Sequence, residues 1–197
     1  MEHQTNRHLG VRPVDGPFPI HNGLKVVDRL LTFLVCALAV TTLFAIPSQA
    51  QVMGEEAELN RLRTKAEEAM GNEDAEGAAT SMGRAALMAA QLSKRYADPI
   101  LKQTYTAAEH LYRSQEHGYR AVALFRRAGG ELPASAGVCG SLQLGQLELN
   151  HAQSALESPR QSVPAEASLA RMKPLQEAAD DWAIVLSSME AEFHCPS

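Results

Sequence analysis

Beyond residue 50 the apolar positions recur at intervals of three and four, the period of a helix face rather than a strand. Residues 54–70 carry Leu59, Leu62, Ala66 and Ala69 at that spacing and predict a first helix. Gly71-Asn72 ends it, and Asn72 is the expected N-cap of the next helix, with Glu73 and Asp74 suited to its dipole. That second helix runs to about Arg95 and shows a small-residue face of Ala78, Met82, Ala85, Ala86, Ala89 and Leu92. Asp98-Pro99 signals a new helix start: aspartate caps free N–H groups, and proline at the first helical position forfeits a bond that would not form. A stripe of Leu101, Tyr105, Ala108, Tyr112, Tyr119, Val122 and Phe125 follows, interrupted by Gly118 and stopped by Gly129-Gly130. Gly118 is either a turn between two helices or a weak point in one.

Ser135 is positioned to cap a further helix carrying Leu142, Leu144, Leu147 and Leu149 to about Glu157. Residues 158–164 read as a polar loop with two prolines. The last segment is the most regular. Met172, Leu175, Ala179, Trp182, Leu186, Met189 and Phe193 form an a/d seam, expected to pack inside its own bundle. Pro174 implies a helix start or a kink near it. No segment after residue 50 alternates with period two. The expected fold is all-α: a bundle or short stack of antiparallel helical hairpins, with about five to six helices.

The N-terminus follows another pattern. Leu30–Ile46 is an uncharged, largely apolar run of 17 residues preceded by Lys25 and Arg29 and followed by Ser48-Gln49-Ala50. A basic flank, an apolar stretch and a small-x-small site describe a secretory signal peptide, here cut after Ala50. An uncleaved anchor, its basic side in the cytoplasm, is the alternative. Either way residues 1–50 are an address, and 51–197 are an exported domain, periplasmic or secreted, or anchored facing out of the cytoplasm. Membrane contact is expected only through residues 30–46, and only if the segment is retained. Cys36 lies in this run but lacks the small preceding residue that lipid attachment prefers.

Charge and cysteine content sharpen this picture. Residues 51–197 carry fourteen Lys/Arg against twenty Asp/Glu, a net −6 with no basic stripe, so nucleic acid is not an expected partner. Two cysteines remain in the domain, Cys139 and Cys195. In an oxidising compartment such a pair is expected to be bridged.

Between Lys102 and Pro133 the residues resemble the tetratricopeptide-repeat family, whose unit is a helix-turn-helix of about 34 residues. Tyr105 and Tyr112 stand where its first helix carries large residues; Ala121, Phe125 and Ala128 match its second, and Pro133 its closing proline. The resemblance implies stacked hairpins and a groove for a protein or peptide.

Candidate chemistry is sparse. The domain holds four histidines, His110, His117, His151 and His194. Glu109-His110 and Glu116-His117 share a helix face, but two turns part them by about 10.5 Å, too far for one metal. Glu148-x-x-His151 has a spacing used in di-iron bundles, yet no second copy exists, so it reads as a surface pair. Trp182 reads as core. Lys94-Arg95 and Arg126-Arg127 read as cations at helix C-termini. No haem-attachment motif, phosphate-binding glycine loop or nucleophile elbow occurs. No catalytic residue, metal ligand or cofactor is assigned, and the expected function is a non-enzymatic protein-interaction or scaffold domain. A bundle binding a small ligand or metal is the alternative.

Overall fold

The computed structural model describes residues 48–157 and 166–196. The apolar run Leu30–Ile46, its basic flank, Cys36 and the polar loop at 158–164 lie outside them. The chain divides into two units, Met1–Ser48 and Gln49–Ser197, and the second is the one described below. Its architecture is all-α, with five helices in order: α1 (Ser48–Gly71), α2 (Ala75–Arg95), α3 (Pro99–Arg127), α4 (Ala136–Glu157) and α5 (Glu166–Glu192). Among the described residues no helix is long and apolar enough to cross a membrane.

The helix boundaries follow local chemistry, with two corrections. Asn72 does not cap α2: its amide bonds back to Glu68 O at 3.0 Å and closes α1. The cap is Asp74, whose carboxylate accepts from Gly77 N at 2.8 Å. A Cβ at Gly77 would press on the Asp74 carboxylate, which would have to turn aside. The Asp98-Pro99 start forms as read, Asp98 Oδ1 accepting from Ile100 N at 2.9 Å and Leu101 N at 2.8 Å. The second correction concerns α5. It begins at Glu166, eight residues before Pro174, and runs through that proline, so of the two expectations for Pro174 the helix start is the one set aside.

Helix α3 is the central element, and one unbroken helix spans Pro99–Arg127. Residues 102–133 therefore contain no turn at Gly118, although the repeat resemblance implies one near it. Gly118 is instead a notch: a Cβ there would lie 2.6 Å from Trp182 Cζ2. The indole of Trp182 rests in that space, donates from Nε1 to the buried Ser114 Oγ at 3.0 Å, and meets Tyr119 edge-on at 5.4 Å. The neighbours of α3 pack close because their facing residues are small. Ala78, Ala85, Ala86 and Ala89 of α2 are essentially buried. On α4, Gly145 leaves only 3.3 Å between an ideal Cβ and the Ser114 carbonyl. Small residues let helix axes approach and gain dispersion contacts along the whole seam.

The seam read for α5 packs within its own bundle: Met172, Ala179, Trp182, Leu186 and Phe193 are buried, and Leu175 and Met189 are partly so. Helix α4 carries Leu142, Leu144, Leu147 and Leu149 on two sides. Leu142 and Leu149 are buried, whereas Leu144 and Leu147 are about half exposed, at 50% and 51%. Their spacing puts them on the flank of α4 away from its buried ridge, Val138, Leu142, Gly145, Leu149 and Ala152. Cys139 and Cys195 are joined, with Cα atoms 5.4 Å apart across a separation of 56 residues. Phe193 O accepts from Ala134 N at 2.9 Å, and Phe193 stacks on Phe125 at 4.4 Å, so the end of α5 is held against the start of α4.

Candidate functional site

Among the described residues, two groupings of polar side chains carry chemistry beyond simple surface ion pairs. The first is a cleft of about 250 Å³ walled by α1, α3 and α5. Glu56 stands at its edge and ties three helices together. Its Oε1 accepts from Tyr105 OH at 2.5 Å and from Tyr96 OH, and Arg171 Nη1 approaches to 3.4 Å. The two tyrosine rings stack in parallel, 5.2 Å between centroids. Partial burial by itself raises the Glu56 pKa, but the donors from Tyr105, Tyr96 and Arg171 outweigh it and hold the carboxyl below the usual glutamate range. Burial, and the Glu56 charge beside it, push the Tyr105 phenol far up, so it stays a donor at any physiological pH. Next to Glu56, Glu55 pairs with Arg95 at 2.9 Å.

Along the same cleft, Arg63 of α1 places its guanidinium 5.4 Å from the Tyr112 ring centroid, in cation–π contact. Leu59, Ala108 and Leu175 supply apolar lining, and the exposed Asn60 stands at the rim. The result is an aromatic floor with arginines at its margin, a composition enriched where proteins bury one another's side chains.

The second place lies between α3 and α4. Glu148 Oε2 is 2.7 Å from His110 Nδ1. The His151 ring meets that of His110 edge-on at 5.2 Å, with a 66° angle between planes. One ligand atom from each of His110, Glu148 and His151 lies within 4.8 Å of the other two. His110 on α3 and the Glu148/His151 pair on α4, read separately in the sequence, thus stand together. His117, two turns on, stays apart from them. It is half-buried, its Nδ1 has no hydrogen-bond partner, and burial pushes its pKa down. His194 is exposed near the C-terminus, in a left-handed turn with φ 54°.

Of the residues singled out in the sequence, Cys139 and Cys195 are brought together, and so are His110, Glu148 and His151. Trp182 is a core residue. Arg126 and Arg127 do more than favour a dipole: Arg126 donates to Glu73 O at 2.5 Å and Arg127 pairs with Glu76, fastening the end of α3 to the α1–α2 turn and the start of α2. Glu56, Arg63, Tyr96 and Arg171 were not singled out. Their partners are 40 to 115 residues away, so no local spacing reveals them. The fold and sites thus define a disulfide-tied helical bundle with one aromatic–arginine cleft and one histidine–carboxylate grouping. Comparison of the chain with family models, with curated proteins and with solved structures finds no match.

Proposed function

We propose that residues 51–197 form an exported, non-enzymatic interaction domain, periplasmic or secreted, or held at the membrane by residues 30–46 if that segment is retained. The partner is a protein or peptide, received in the cleft between α1, α3 and α5. The observation that carries this reading is the cleft itself: Tyr105 held by Glu56 and Tyr112 under the Arg63 guanidinium, with Arg171 beside them. Rigid aromatics and planar guanidinium groups lose little conformational freedom on binding, which makes them efficient anchors. The volume suits one or two inserted side chains rather than a large cofactor. Export is supported by the basic flank, apolar run and Ser48-Gln49-Ala50, and is consistent with the Cys139–Cys195 bridge, a bond kept in oxidising compartments.

Two experiments test the two halves of this reading. A reporter active only outside the cytoplasm, fused after Ser197, is expected to work; activity of a cytoplasm-only reporter instead contradicts export. Affinity capture of the exported protein is expected to recover a defined protein partner that Arg63→Glu fails to retain, with helicity by circular dichroism unchanged. Equal recovery by wild type and Arg63→Glu contradicts the cleft as the binding place.

A further inference from the structure

The grouping on α3 and α4 supports a separate assignment. We infer that His110, Glu148 and His151 form a binding site for a single divalent transition-metal ion of the zinc class, on a face distinct from the cleft. Glu148 and His151 are three apart on α4, so their side chains leave the same side of that helix. His110 reaches them from α3, 38 residues earlier. The two helices are held in register around this point. Ser141 Oγ donates to His117 O at 2.9 Å, Gly145 lies against Ser114 O, and Gln103 Nε2 donates to Ala155 O. The backbone supporting the three side chains is therefore fixed on both sides of the site.

The ligand chemistry selects the ion. Two imidazoles and one carboxylate suit zinc, nickel, copper or iron, whereas calcium and magnesium demand all-oxygen shells. Ligand atoms about 2.0–2.2 Å from a zinc ion stand about 3.4 Å from one another in a tetrahedron. The observed separations, from 2.7 Å to no more than 4.8 Å, bracket that value, and rotation of the exposed His151 side chain closes the difference. Without an ion, His110 Nδ1 and Glu148 Oε2 share a hydrogen bond; a metal ion taken by both replaces that bond and requires the neutral His110 tautomer with its hydrogen on Nε2. Three protein ligands leave a further position open to water. His110 and Glu148 are partly buried and His151 is exposed, so the ion enters from the α4 side with no helix needing to move.

The test is titration of the full chain with Zn2+ alone, read by calorimetry and by the thermal midpoint. His3, His8, His21, His117 and His194 are present throughout, so only the difference between variants is scored. Wild type is expected to bind one equivalent more than His151→Ala, a variant at an exposed position that leaves the fold intact. Its thermal midpoint is expected to rise with Zn2+, an increment that His151→Ala loses and His194→Ala keeps. Glu148→Gln, which keeps the shape and removes the charge, is expected to weaken that equivalent about tenfold or more. Identical stoichiometry and midpoint shifts in wild type and His151→Ala overturn the assignment, as does a wild type whose midpoint does not respond to Zn2+.

Discussion

The two ends of α5 are held by different physics. From Trp182 to Cys195 the helix is locked: an indole fills the Gly118 notch, Leu186 reaches toward Gly145, Phe193 stacks on Phe125, and a disulfide closes the end. Around Arg171 to Leu175 the attachments are fewer. Met172 is buried, but Pro174 has no amide hydrogen to donate, Leu175 is only partly covered, and Arg171 reaches Glu56 at 3.4 Å. The cleft lies beside this second end. One helix thus supplies both a rigid strut and a cleft wall, and rigidity at one end lets the other stay open without loosening the bundle.

Breaking the locked end should cost most. Reducing Cys139–Cys195, which closes a loop of 56 residues, is expected to remove about 4 kcal/mol on the chain-entropy model. Hydrogen exchange should then quicken first over Leu186–Phe193, with little change at Met172. Equal acceleration at both ends means the contrast is wrong. Gly118→Ala comes next: the added methyl drives into Trp182 and is expected to destabilise by about 1–3 kcal/mol in chemical denaturation. Adding Trp182→Phe, whose smaller ring vacates the notch, should return part of that loss. Failure of the second change to help Gly118→Ala at all would show that the notch is not where the strain falls.

Effects at the open end are smaller. Arg171→Ala removes an exposed ion pair and is expected to cost about 0–1 kcal/mol. It should nevertheless quicken exchange near Met172 more than near Phe193. Glu56→Gln gives a pH signature. Because the folded pKa of Glu56 lies below its ordinary value of 4.5, its contribution is present above that value and is lost as the pH falls through the lower, folded one. The wild type should therefore lose stability faster than Glu56→Gln on acidification, measured as denaturation midpoints across the acid range. Parallel curves would remove Glu56 as the tie among the three helices.

These two ends also differ in how far they were legible in the chain. The locked end announces itself: an a/d seam from Met172 to Phe193, two cysteines, and a tryptophan in the seam. Gly118 was visible but ambiguous, since a glycine within a helical stripe can mark a turn or a close contact, and only the position of Trp182 decides. Asp74 was passed over as the cap because Asn72 comes first after the glycine. The leucines of α4 were visible but not sorted: Leu144 and Leu147 fall off its buried ridge by angular position. The cleft was hidden for another reason. Its tie, Glu56, is an ordinary acidic residue on a polar helix, and its partners arrive from α3, from α5 and from Tyr96 just past α2. His110 escaped similarly: its partner was sought along its own helix, whereas Glu148 and His151 come from the next one.

The central claim is that the cleft receives a partner, and site-specific photo-cross-linking in living cells tests it most directly. A photoreactive amino acid is placed at Asn60, exposed on the rim, and in a second strain at Leu87, 56% exposed on α2 outside the cleft. The account predicts a discrete protein adduct from position 60 that position 87 does not give. No adduct at position 60, or the same adducts from both positions, would contradict it.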